Sequence, residues 1–228
     1  MLAQHAHETL SHVFVGHYGP TFALKRWAPA APMWALAIGV QLVDVAWSVF
    51  IVAGIERVRI VPGFTASNSL DLYYMPFTHS LVAAFAWAIG FGAVFWKRSK
   101  KVALAIALAV FSHWLCDLIV HRPDLPILDE RYKVGFGLWD YRWPALALEL
   151  GLLFAGMALY LRGTRPLDRL GRIGPYLVGV VFTAMQVFQM FGKPPATPTG
   201  MAIAAFSSYI AVAVVTSWID RHREGSRR

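Results

Sequence analysis

The chain has 228 residues, of which 57% are hydrophobic and only 15% charged, too little charge to clothe a soluble globular domain of that size. Its net charge of +8 would suggest a nucleic-acid partner in a soluble protein, but the basic residues fall in short loops between apolar runs, where they orient membrane spans. No nucleic-acid partner is expected, and the lipid bilayer takes that place.

In chain order, the N-terminal stretch lacks the basic leader and unbroken apolar core of a cleaved signal peptide. His5, His7 and His12, like His222 at the other end, read as solvated. Leu10 to Leu24 is apolar enough to enter a bilayer but is broken by Gly16, Gly19 and Pro20. It is expected to be a broken or re-entrant helix, packed into the bundle with His17 pointing inward, because irregular backbone at membrane depth needs protein or a polar cavity around it. Six runs near the required length of roughly 20 residues follow: Met33–Ile55, Thr78–Trp96, Val102–Val120, Pro144–Leu161, Ile173–Phe191 and Gly200–Ile219. The expected fold is therefore all-α, a polytopic transmembrane helix bundle of about six spans plus the broken N-terminal helix. It forms one membrane domain over 1–228, with a metal-site half at about 8–150 and C-terminal spans at 151–220.

Placing both termini in the cytoplasm puts 14 of the 21 Lys and Arg residues inside and leaves Arg57, Arg59, Arg122, Arg131, Lys133, Arg142 and Lys193 outside. The two longer outer loops, Glu56–Phe77 and Arg122–Trp143, are where function is expected. Cys116 lies in an apolar run, is the sole cysteine, and reads as a packing residue.

The polar residues inside the runs carry the chemistry. His113, Asp117 and His121 stand at i, i+4 and i+8 and share one helix face over roughly 12 Å. Counted from the cytoplasmic end of each run, Asp44 comes out roughly 16 Å deep, His113 roughly 18 Å and Asp117 roughly 24 Å. His79 stands near the outer mouth after Thr78, which reads as a helix N-cap, and Glu149 lies at a similar level on a descending run. Ionisable groups at one depth on separate elements imply a shared site, since each is costly in lipid unless paired, hydrated or metal-bound. The plainer reading is interhelical hydrogen bonding, which also suits Asp44 with Gln41 and Ser48, and Thr183 with Gln186 and Gln189.

With Gly16-His17, Asp44, Thr78-His79-Ser80-Leu81 and His113-x3-Asp117 in that order, the chain resembles the predicted membrane-bound metal-dependent hydrolases, the YdjM-like family, over roughly its first 145 residues. More remotely it is similar to the zinc-dependent phospholipase C and zinc nuclease superfamily, whose ligands run His, Asp, His, His-x3-Asp. The resemblance implies a multi-pass inner membrane protein with His17, Asp44, His79, His113 and Asp117 as ligands of a divalent metal, zinc first, as one or two ions, with Asp117 the bridge. The superfamily's further His-x3-Glu is missing here; Glu149 and His121 stand as substitutes. Imidazole and carboxylate ligands suit zinc, and a metal with an open position activates water. Glu149 or His121 would then handle the proton, and Arg122 would neutralise a phosphate or simply snorkel to the interface. Three functions stay open: a hydrolase of a phosphoester, including a phospholipid, at the outer face; a transporter relaying protons or cations through the same residues; and a structural membrane protein.

Overall fold

The computed structural model describes residues 14–225. His5, His7, His12 and the first part of the Leu10–Leu24 run lie outside them. The described chain is mostly helical. A 3-10 turn, Val15–Tyr18, leads into α1 (Gly19–Trp27), followed by α2 (Met33–Gly39), α3 (Leu42–Val52), α4 (Leu81–Val94), α5 (Lys100–Val120), α6 (Arg142–Gly163), α7 (Arg169–Phe191) and α8 (Pro198–Arg221).

The count of six spans is not reproduced. Among the described residues four helices, α5 to α8, are long and apolar enough to cross a membrane, and α2 with α3 makes at most a fifth, bent by 57°. The run Thr78–Trp96 yields only the 14 residues of α4, about 21 Å long against a hydrocarbon core of about 30 Å. Its shortness has a local cause. Thr78 is not the cap; its backbone N–H and hydroxyl are taken by Glu56, and the helix starts only after Ser80, whose Oγ accepts from the N–H of Ala83 at 3.1 Å. The Met33–Ile55 run breaks at Val40 and Gln41, so that the backbone carbonyl of Val40 is free to accept a side chain from α5.

The described part of the N-terminal run is too short to span. The turn and α1 instead lie against α6, with Val15 and Tyr18 fully buried. Glycine allows the approach: a Cβ on Gly156 of α6 would collide with the backbone of Gly19, and one on Gly19 with the backbone of Leu152. Close backbone contact through small residues is how helices associate in a solvent that gives no hydrophobic drive between them. α8 packs along both halves of the bent pair, and α4 along α5.

The all-α expectation also missed small sheets. Glu56–Phe77 contains an antiparallel hairpin of β1 (Arg57–Ile60) and β2 (Leu70–Tyr74), and the second long loop pairs β3 (Leu125–Pro126) with β4 (Lys133–Val134). The two loops are tied into one cap: Ser67 N–H donates to Trp139 O at 3.0 Å, Arg142 Nε to Ala66 O at 2.6 Å and Lys133 Nζ to Tyr73 O at 3.0 Å. Backbone that looks unstructured in sequence is thus paired, as buried peptide groups must be. A third pair, β5 (Thr164–Pro166) with β6 (Arg223–Gly225), joins the α6–α7 connection to the tail. There His222 is not simply solvated, because its Nδ1 lies 2.5 Å from Asp168 Oδ2.

Candidate metal centre

The site is assembled around α5. His113 and Asp117 are one helical turn apart on its buried face, with His113 Nε2 3.2 Å from Asp117 Oδ2. His121 is the residue after the helix, where the backbone has turned extended, yet its Nε2 remains 3.6 Å from Asp117 Oδ1. His17 comes from the 3-10 turn, whose unpaired N–H groups are taken by side chains: Gly16 N donates to Glu149 Oε2 at 2.6 Å and Val15 N to Gln186 Oε1 at 3.1 Å. A side chain on Gly16 would press on Glu149, the added Cβ lying 2.9 Å from its Cα. So held, His17 Nε2 lies 3.0 Å from Asp117 Oδ1. Asp44 sits in the first turn of α3, just past the bend, and His79 between β2 and α4, with its Nε2 3.1 Å from Asp44 Oδ1 and 3.9 Å from Asp117 Oδ2.

The structure therefore brings together His17, Asp44, His79, His113, Asp117 and His121. Five of the six supply donor atoms to two triads that share His113, His17–His113–Asp117 and Asp44–His79–His113, each with all its atoms within 4.8 Å of one another; His121 stands outside both. Donors on one tetrahedral ion with bonds near 2.0–2.2 Å stand about 3.4 Å apart, so separations of 3.0 to 3.9 Å suit a shared cation.

Hydrogen-bond polarity makes the same point. His113 Nδ1 donates to the Val40 carbonyl at 2.6 Å, and His121 Nδ1 to Asp124 Oδ1 at 2.9 Å. These acceptors spend the Nδ1 hydrogens outward and leave the Nε2 atoms to face carboxylate oxygens. Acceptor then faces acceptor unless a proton or a cation lies between them. Among the described residues neither Asp44 nor Asp117 pairs with a Lys or Arg, and the buried Asp117 Oδ2 has no partner in hydrogen-bond geometry. A buried carboxylate of this kind is costly unless compensated. Outward Nδ1 donors on His113 and His121 and an inward orphan oxygen fit a metal ligand set, although the buried His17 Nδ1 has no acceptor, and the His and Asp donors suit zinc.

A cavity of about 30 Å³ opens on Asp44, His79, Asp117 and His121, enough for a water or an ion. Trp47, Trp139 and Tyr209 wall it, and the Trp139 ring lies 4.3 Å from that of His121, tilted by 40°. Two of the expected catalytic residues lie off this cavity. Glu149 is buried beneath the His17 turn as the acceptor of Gly16, and Arg122 turns outward to Phe64 O at 3.3 Å and Asp140 at 3.7 Å. Arg131 and Lys133 are likewise engaged, with Asp129 and Glu130 at 2.5 Å each.

Sequence reasoning missed Tyr209, whose hydroxyl donates to Asp44 Oδ2 at 2.8 Å, along with Glu56 and Asp124. Asp124 was open to discovery, three residues after His121. Tyr209 gives no signal, being one of several hydroxyl residues on an otherwise apolar helix.

No curated protein and no solved structure matches the chain. A family profile does, and far beyond the first 145 residues: it covers both triads and all four long helices. The match runs over residues 7–219, and the chain belongs to the YdjM inner membrane protein family.

Proposed function

We propose that this chain is an integral membrane metal-dependent hydrolase that acts on a phosphoester, including that of a lipid, at the outer face of the membrane. The observation that carries the reading is the convergence of four Nε2 atoms on the Asp117 carboxylate, three of them within 3.6 Å, with no Lys or Arg among the described residues to balance it. His17, His113 and Asp117 would hold one divalent ion, with zinc the first choice; Asp44, His79 and His113 make an alternative position, since the single Nε2 lone pair of His113 can serve only one ion at a time. The order of these residues along the chain, similar to that of the zinc-dependent phospholipases C and nucleases, supports the same reading. A bound ion would supply a Lewis acid for the phosphoryl oxygen and a water acidic enough to lose its proton near neutral pH.

The chain's own groups do the rest. His121 lines the cavity, and its Nδ1 hydrogen is held by Asp124, which leaves Nε2 to accept a proton at the site. Tyr209 orients Asp44. Trp47, Trp139 and Phe14 keep bulk water from the carboxylates. Since Arg122, Arg131 and Lys133 do not line the cavity, neutralising a phosphoryl group falls to the ion. The test is headgroup or phosphate release from a phospholipid panel by the detergent-purified chain. Release stopped by chelator and by Asp117→Asn is expected; release that survives both would place the chemistry elsewhere. No release from a demonstrably metal-loaded protein would turn the assignment to cation or proton transport.

The reading also places both termini in the cytoplasm. In a chain whose Cys116 has been replaced, an impermeant thiol reagent applied to intact cells should label a cysteine at Arg131, which is 79% exposed, and spare one at Arg165, which is 58% exposed. The opposite pattern would invert the topology and put the site on the inner side.

A further inference from the structure

His79 differs from His113 and His121 in what holds its outer nitrogen, and the inference drawn from this rests on the metal reading above. His113 and His121 give their Nδ1 hydrogens directly to a carbonyl and a carboxylate. His79 Nδ1 instead lies 2.7 Å from the hydroxyl oxygen of Thr78, a group that can donate or accept. Which it does is decided one residue further out. Thr78 Oγ1 is 2.6 Å from Glu56 Oε2, and Glu56 Oε1 accepts the N–H groups of Phe77 at 2.8 Å and Thr78 at 3.0 Å. Glu56 is 1% exposed and, among the described residues, pairs with no Lys or Arg, so these three donors are what compensates its burial.

We propose that Glu56 is a positioning residue which, acting through Thr78, fixes His79 with its hydrogen on Nδ1 and its lone pair on Nε2. A carboxylate only accepts, and a threonine has one hydroxyl hydrogen. That hydrogen is committed to Glu56, so the hydroxyl oxygen must accept from His79 Nδ1–H. The Nε2 lone pair is then presented to the Asp44 side of the site, the form an imidazole needs in order to bind a metal. The arrangement is a relayed version of the carboxylate–histidine pair that orients metal ligands, with a hydroxyl inserted between the two. Reach explains the insertion: Glu56 lies at the α3–β1 junction, and the 77–78 turn folds back over it.

A merely structural role, in which Glu56 only ties down the turn, makes a different forecast for Glu56→Gln. Glutamine is nearly isosteric, and its carbonyl can still accept the two backbone N–H groups. Its amide nitrogen would then face Thr78 and donate, which turns the threonine hydrogen toward His79 Nδ1 and moves the imidazole hydrogen to Nε2. The turn survives, and the ligand is lost.

The experiment uses the full chain in detergent with zinc alone as the probe. Affinity is read by competition with a chromophoric chelator, and the number of histidines on the metal by X-ray absorption. Glu56→Gln and Thr78→Val are expected to weaken zinc binding about 10–100-fold and to remove one histidine from the count, whereas Thr78→Ser keeps the wild-type values. Wild-type affinity and an unchanged histidine count in Glu56→Gln or Thr78→Val would overturn the relay while leaving the metal centre standing. Should Glu56→Gln not fold, the Thr78→Val and Thr78→Ser pair decides the matter. A wild-type chain that takes up no zinc brings down the metal reading, and the relay with it.

Discussion

Replacing Asp117 by alanine is expected to abolish metal binding and to destabilise the protein by about 3–5 kcal/mol, the range for removing one partner of a buried, charge-compensated set. Asp117 is 2% exposed and lies within 3.9 Å of the Nε2 of His17, His79, His113 and His121, so no other residue touches as many members of the site. Taking it away leaves four imidazoles around a void with only Asp44 to gather them. Thermal unfolding in detergent, with and without chelator, reads the effect. In the wild type, chelator should lower Tm, because a ligand of the folded state alone stabilises it by about 2.7 kcal/mol at a hundred times its Kd. In Asp117→Ala the Tm should already be low and indifferent to chelator. Equal Tm values for the two proteins, or a chelator effect that persists in the variant, would show that Asp117 is not the hub.

The second large effect lies away from the chemistry. Gly156→Leu should cost about 3 kcal/mol or more, at the upper end for overpacking, because what the new side chain meets is backbone and cannot rotate away. The collision is with Gly19, at the start of α1, and α1 continues directly from the turn that carries His17. Zinc affinity should therefore fall together with Tm. Gly151→Leu, five residues earlier on the same helix, is the control. Nothing lies within 4 Å of an added Cβ there, so a change within about 0.5 kcal/mol is expected. Comparable losses in both variants would mean that a leucine anywhere on α6 is harmful, and that the seat of α1 does not set the stability.

These two effects divide what the sequence made legible from what it hid. The His113-x3-Asp117 spacing is a property of helix geometry and reads directly, whereas the depth count for Asp44 and His79 assumes unbroken helices, and the chain bends by 57° before Asp44 and starts its helix only after His79. Bringing His17 into the same set needed the residue order shared with a family, because an interrupted apolar stretch carries no depth of its own. The span count was not reproduced for a different reason. Hydropathy sees that Thr78–Trp96 is apolar, but not that Thr78 is spent on Glu56 and that the helix waits until Leu81. Gly39 hints at the break between α2 and α3, yet nothing in the composition says that the freed Val40 carbonyl will receive His113. Outer contacts of this kind depend on where the chain returns, as Tyr209 shows by reaching Asp44 from 165 residues away. The basic residues of the second outer loop are spent in a similar way. Arg131 and Lys133 are close in sequence to the cap that covers the cavity, but each finds an acidic neighbour within three residues.

Elemental analysis of the full chain, purified in detergent from cells grown with trace metals, tests the metal centre most directly. One divalent ion per wild-type chain, zinc foremost, is expected, falling to none in Asp117→Ala. A folded wild type that holds no divalent metal above background even after incubation with zinc, or equal metal in wild type and Asp117→Ala, would contradict it.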